Sequence, residues 1–222
     1  MEDVHLEKAS MSSYKAQVEK YGTPISDELY KQLRNYANKN SIKLSGFKDY
    51  VGDICTIKTV IDDIVEIAKD FPRILDEKQG VWLELDYNLG SDFATSNGGH
   101  IIHLNGGYFA EVEMLDQEYK DGVKCGRFVK GTDWRAIARH ETGHVVANLY
   151  SIDPMQIAMD ILNTKSYIIV TEYLKKELSR YSVEYKDGRE IISESFSAYY
   201  SKVGNSFAEE FVRKVGELNE IV

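Results

Sequence analysis

The sequence predicts an α+β fold, and three changes of pattern along the 222 residues carry this prediction. Apolar residues between positions 52 and 71 recur every three or four places, which is typical of an amphipathic helix that ends before Pro72. The segments 80–87 and 99–105 begin with glycine and are enriched in β-branched and aromatic residues, which indicates strands of a small sheet. From Thr132 onward the spacing is helical again. Helices before and after a small mixed sheet make an α+β arrangement.

Residues 1–50 are predicted to form a helical N-terminal extension, and residues 51–222 the main domain. The extension is rich in Lys, Glu, Tyr and Gln, and its helical spacing is weak, as at Leu29, Leu33 and Tyr36. In the second half of the main domain, turn signals separate successive helices, predicted at about 133–150, 154–163, 165–180, 187–203 and 205–220.

The composition of the chain limits the kinds of partner that it is expected to bind. The formal net charge is −9 and the isoelectric point is near 5.1, so the chain lacks the basic surface that nucleic acids and anionic membranes attract. The longest apolar runs, such as 167–170, are too short to span a bilayer, and the charged N-terminus does not resemble a signal peptide. We therefore expect no nucleic acid, no membrane and no export signal in this chain.

Cys55 and Cys125 are expected to be two buried thiols of a reducing compartment, with a distant disulfide as the alternative. Neither has a second Cys or His at metal-ligand spacing, so neither is a metal candidate.

A metal-binding pattern lies at His140-Glu141-Thr142-Gly143-His144. Two histidines four residues apart lie on the same face of a helix, and both can reach one zinc ion at about 2.0 Å. Glu141, next to the first histidine, can take a proton from a water molecule activated by the metal, which is why the H-E-x-x-H pattern denotes a metallopeptidase. The alternative is a pair of surface histidines on an ordinary helix.

The context of this pattern favours a buried helix. Asp133 is placed to cap it, and apolar residues follow at helical spacing, at Trp134, Ile137, Val145 and Leu149. Gly143 costs about 1 kcal/mol relative to alanine inside a helix, so its presence indicates the close approach of another backbone.

A third protein ligand is expected from the helix predicted around 189–200. Glu190 and Glu194 lie four residues apart on one face of it. One carboxylate could bind zinc, and the other could accept a hydrogen bond from a ligand histidine. The alternative is a solvated acidic face.

The run from His140 to Tyr200 resembles the catalytic domain of anthrax lethal factor and its relatives, many of them carried by phages and mobile elements, within the zincins that use a glutamate ligand. The likeness covers just over a quarter of the chain. In that family H-E-x-G-H is followed by Ser-x-Tyr and then by E-x-x-x-E-x-F. This chain has the corresponding segments His140-Glu141-Thr142-Gly143-His144, Ser179-Arg180-Tyr181 and Glu190-Ile191-Ile192-Ser193-Glu194-Ser195-Phe196.

The resemblance implies a zincin-like fold, one Zn²⁺ per chain, a peptide or protein substrate, and a cytoplasmic or phage-associated location. The interval from Tyr181 to Glu190 departs from the family pattern, so Tyr185 stays an alternative to Tyr181. The roles implied are zinc ligation by His140, His144 and Glu190, general base for Glu141, support of a histidine ligand by Glu194, and oxyanion hydrogen bonding by Tyr181.

The strand before the metal helix is predicted to be the edge strand that pairs with an extended substrate, as in zincins. Its residues are Gly99, His100, Ile101, Ile102 and His103. His100 and His103 point to opposite faces of a strand and cannot both bind one ion.

Together, these expectations predict a zinc-dependent endopeptidase. The alternative is a structural or interaction protein of a phage or mobile element that keeps a zincin scaffold without catalysis. The presence of Glu141 favours the enzyme, since a scaffold needs the metal ligands but no base.

Overall fold

A computed structural model describes residues 22–76, 78–96 and 99–219. In this part of the chain, helices surround a four-stranded sheet, which confirms the predicted α+β class. The strands are β1 (Lys43–Ser45), β2 (Trp82–Asp86), β3 (Ala94–Thr95) and β4 (Ile101–Asn105). The helices are α1 (Asp27–Lys39), α2 (Ile54–Ala68), α3 (Gly106–Ala110), α4 (Val112–Lys124), α5 (Ala136–Leu149), α6 (Pro154–Ile161), α7 (Tyr167–Glu177), α8 (Arg189–Tyr200) and α9 (Ser206–Asn219).

The helix predicted between positions 52 and 71 is α2. Asp53 caps it by accepting a hydrogen bond from the backbone N–H of Cys55 over 2.8 Å. Its apolar face is fully buried, with Ile57, Ile61 and Ile64 at 0% exposure. This face packs in the same hydrophobic cluster as the inner side of the sheet.

The sheet is mixed, in the order β1-β2-β4-β3. β1 and β4 run parallel to β2, which lies between them, and β3 is antiparallel to β4. Burial alternates along β2 and β4, so one face of the sheet enters the core. The side chains on this face are Leu83, Leu85, Ile102 and Leu104.

The strand predicted to be an edge strand is internal, and this prediction is wrong. β4 pairs with β2 on one side and with β3 on the other. On the side of β3, the register includes His103 and Leu104, so this part of β4 is not free to accept an extended peptide. Among the described strands, the edge on this side of the sheet is β3. Gly99 and His100 precede β4 and His103 lies within it.

The sequence predicts a domain boundary at residue 50, but residues 22–50 pack in the same core as the residues that follow. α1 buries Leu33 and Ala37, and Phe47 and Tyr50 are also buried, all within the core cluster that continues through α2. β1 joins the sheet by pairing with β2. A three-residue strand has too little alternation to be recognised from its sequence, which explains the difference. Residues 1–21 of the predicted extension lie outside the described residues.

Both cysteines are exposed and unpaired, so the prediction that they are buried is wrong. No helix in the described ranges combines the length and the apolar character needed to cross a membrane.

Candidate metal centre

Helix α5 carries the H-E-x-x-H segment and is buried around most of its first two turns, including His140 and Glu141. A buried carboxylate on a neighbouring helix fixes its position. Asp63 of α2 is 1% exposed and accepts hydrogen bonds from Arg135 and Arg139, at 2.6 Å and 2.7 Å to its Oδ1 atom. Ion pairs of this kind hold two helices in one register when their hydrogen bonds are satisfied.

Helix α8 lies close against α5 at Gly143. A Cβ atom added to Gly143 would lie 2.9 Å from the Cα atom of Ser193, so only glycine fits there. The hydroxyl of Ser197 also donates a hydrogen bond to the carbonyl of Ala136 over 3.1 Å. The close approach that Gly143 predicted is therefore confirmed.

The contact between the two helices brings three ligand atoms together. Oε2 of Glu190 lies 3.0 Å from Nε2 of His140 and 3.3 Å from Nε2 of His144. One ligand atom from each of these residues lies within 4.8 Å of the others. Two atoms bound to one tetrahedral zinc at about 2.0–2.1 Å are about 3.3 Å apart, so the spacing suits a shared ion.

The carboxylate of Glu190 supports this interpretation. The residue is 3% exposed, and its Oε2 atom has no hydrogen-bond partner despite the short distances to the two histidines. A buried carboxylate oxygen without a partner is costly. A cation shared by the three atoms would satisfy it, so the residues present fit a metal ion.

Glu194 contacts the other nitrogen of the first histidine. Its Oε1 atom lies 3.0 Å from Nδ1 of His140. A proton on Nδ1, donated to this carboxylate, leaves the lone pair of Nε2 free to bind a metal. Glu190 thus lies near Nε2 of both histidines and Glu194 near Nδ1 of His140, and the division into a ligand glutamate and a supporting glutamate stays a prediction.

The ionisable side chains of the site shift one another's pKa values. Burial lowers the pKa of His140, but the carboxylates of Glu190 and Glu194 beside its ring raise the pKa well above its usual value. Burial raises the pKa of Glu190, yet His140 and His144 hold it at about 2. Without a metal, the carboxylates therefore favour the protonated form of His140.

Glu141 faces a cleft of about 1100 Å³ that also reaches the three ligand residues. Its Oε2 atom accepts a hydrogen bond of 2.8 Å from the hydroxyl of Ser96, the residue that follows β3. No sequence pattern indicates this contact, because 45 positions separate the two residues. Asp63 was also missed, although a charged residue within the apolar stripe of α2 was a signal that could have been recognised.

Of the two candidate tyrosines, Tyr181 lies next to the candidate metal ligands. Its ring centroid is 5.5 Å from that of His140, and its backbone N–H donates to the carbonyl of Arg127 over 3.0 Å. Burial, and then the charges of Glu190 and Glu141, raise the pKa of its hydroxyl, so it keeps its proton at neutral pH. Tyr185 also lines the cleft, but it is 45% exposed and its ring lies under the guanidinium of Arg189.

Comparisons of the chain with protein-family models, with curated proteins and with solved structures found no match. A function therefore has to be inferred from the side chains of the site.

Proposed function

We propose that this chain is a zinc-dependent endopeptidase of the lethal-factor-like zincin type. The observation that carries the proposal is the convergence of His140, His144 and Glu190 on one point, with Glu141 beside it in an open cleft. Two imidazoles and one carboxylate are a ligand set of catalytic zinc, which uses three protein ligands and leaves a fourth position for water or substrate. A closed structural site would instead use four protein ligands.

A bound zinc ion would supply a Lewis acid that makes a water molecule acidic enough to attack at neutral pH. Glu141 accepts the proton of that water and passes it to the nitrogen of the leaving amine. The hydroxyl of Tyr181, protonated at neutral pH, donates a hydrogen bond to the carbonyl oxygen as negative charge develops on it. Glu194 keeps the ring of His140 oriented through its Nδ1 atom.

The substrate would lie along β3, which replaces β4 as the proposed docking strand. Residues 91–96 line the cleft, and β3 is paired with β4 on one side only. The outer side can therefore accept an extended peptide by adding a strand. Farther along the cleft, Phe93, Phe128 and Ile137 form an apolar wall that suits a bulky apolar side chain of the substrate.

The test is the substitution Glu141→Gln, which keeps the shape of the side chain and the three proposed ligands. It should retain one zinc per chain and lose on the order of 10²–10⁴ in kcat against a peptide library, because the general base is removed. Glu113→Gln is the matched control, since Glu113 is exposed in the first turn of α4, outside the cleft.

Zinc stoichiometry is measured by emission spectroscopy and cleavage by mass spectrometry. Full activity of Glu141→Gln would exclude the mechanism. Zinc without any cleavage in the unmodified chain would favour the non-catalytic scaffold protein instead.

A further inference from the structure

Ser96 connects the edge of the sheet with the proposed base. It follows β3 directly, and its hydroxyl lies 2.8 Å from Oε2 of Glu141. Ser96 is half-buried and Glu141 is 7% exposed, so the contact lies at the inner wall of the cleft and is only partly open to water. Within the described ranges, this hydroxyl is the hydrogen-bond donor to the Glu141 carboxylate.

Such a contact further restricts the orientation of the Glu141 carboxylate. A glutamate has three side-chain torsions, and a base has to place one oxygen within hydrogen-bond reach of the proton that it accepts. The hydroxyl of Ser96 occupies Oε2 and leaves Oε1 of Glu141 to accept the proton. A serine donor is short, and Ser96 follows Thr95, which pairs with His103 of β4, so the sheet sets the position of the backbone that leads into Ser96.

We propose that Ser96 is a positioning residue for Glu141 and that it couples the base to the strand on which the substrate lies. The coupling follows from the chain itself: a peptide added to the outer side of β3 orders Ala94 and Thr95, and Ser96 comes next. Binding of substrate would thus hold the hydroxyl, and through it the carboxylate, in the arrangement needed for proton transfer. The proposal rests on the proposed peptidase function.

The test begins with Ser96→Ala and Ser96→Thr. Removal of the hydroxyl should lower kcat by roughly 10- to 100-fold, the range expected for a displaced catalytic group, while KM and zinc content change little. Threonine keeps the hydroxyl and should restore most of the rate. Ser45→Ala is the matched control, since Ser45 is an exposed strand residue in β1, at the opposite edge of the sheet.

A double-mutant cycle separates positioning from a purely structural role. In the Glu141→Ala background there is no carboxylate to hold, so adding Ser96→Ala should change neither the residual kcat nor the melting temperature. If Ser96 only supported the strand, the second substitution would lower both as much as it does in the unmodified chain.

Additive effects of the two substitutions on the melting temperature, or an unchanged kcat in Ser96→Ala, would overturn the proposal. The melting-temperature cycle needs no substrate. If the chain cleaves no peptide, the peptidase function fails, and that cycle still decides whether Ser96 holds Glu141.

Discussion

Glu190 and Glu194 contact His140 through different ring nitrogens, and the different roles proposed for them follow from this difference. Glu190 lies near Nε2 of both histidines, whereas Glu194 lies 3.0 Å from Nδ1 of His140 alone. We expect Glu190→Ala to abolish stoichiometric zinc at micromolar protein, because it removes a ligand. Glu194→Ala should weaken zinc binding by about 10- to 100-fold and keep some activity, as is usual for a partner of a ligand histidine.

Competition with a chromophoric chelator measures both affinities, and Glu113→Ala serves as the control. A crystal structure with zinc bonded to Glu194 at about 2.0–2.2 Å would reverse the two roles.

The charges of the site also predict how the stability of the metal-free protein depends on pH. The raised pKa of His140 contributes stability below its usual value of 6.5, and this is lost as the pH rises through the pKa in the folded state. The lowered pKa of Glu190 contributes stability above its usual value of 4.5, and this is lost as the pH falls toward about 2. The centre should therefore stabilise the chelator-treated protein most between pH 4.5 and 6.5.

Urea unfolding at a series of pH values tests this expectation. Added zinc should reverse the alkaline trend, because binding displaces the proton of His140 and is favoured as the pH rises. In Glu194→Gln one carboxylate beside His140 is absent, so the alkaline decline of the metal-free protein should be smaller. A metal-free stability that rises steadily from pH 6.5 to 9 would contradict the proposed charge state of the centre.

Whether a site residue could be predicted depends on how far away along the chain its partners lie. His140, Glu141 and His144 were predictable because their spacing fits one helical face, and Glu190 and Glu194 because theirs fits another. Ser96 was not predictable, since its role depends on where the sheet places the end of β3. A side chain that acts through tertiary contact alone leaves no periodic signal.

At the scale of elements, the packing of α5 against α8 depends on Gly143. Gly143→Ala places a methyl group 2.9 Å from the Cα atom of Ser193, and the helices have to move apart. We expect a loss of about 1–3 kcal/mol in the free energy of unfolding, together with weaker zinc binding, because the two helices carry the ligands.

Gly216→Ala is a matched control in α9, since no heavy atom lies within 4 Å of the added Cβ there. That substitution should stabilise the protein by about 0.5–1 kcal/mol, the usual gain of alanine over glycine inside a helix. Denaturant unfolding of the two variants should give effects of opposite sign. Equal effects would mean that the backbones of α5 and α8 lie farther apart at Gly143 than the distance of 2.9 Å implies.

The elements that could be predicted from the sequence are those in which apolar residues recur at regular spacing over a long segment. α2, α5 and the helices after it were recognised, whereas α4 was missed because only Leu115 and Tyr119 of its thirteen residues are buried. β1 and β3 have three and two residues, too few for an alternating pattern to be recognised from the sequence. Because β3 was not predicted, the strand 99–105 was expected at the edge of the sheet, which explains the wrong prediction for β4.

For the whole molecule, we expect zinc to act as a stabilising ligand. A ligand that binds only the folded state at 100 times its Kd contributes about 2.7 kcal/mol. A chain of this size gains about 2–4 °C in melting temperature per kcal/mol, so saturation should raise it by about 5–10 °C. Calorimetry with and without a chelator measures the shift, and Glu190→Ala should show almost none. A melting temperature that does not respond to zinc would exclude the metal centre.

The separation of the ligands along the chain has a topological consequence. His144 and Glu190 stand at the two ends of a segment that contains α6, α7 and Tyr181. Because Cys55 and Cys125 are exposed and unpaired, no covalent bridge between them restrains the chain. An ion held by both ends would close this segment into a loop of the folded chain, and the segment could not unfold while the ion stayed bound. Unlike a disulfide, this cross-link would open whenever a chelator or acid removed the ion.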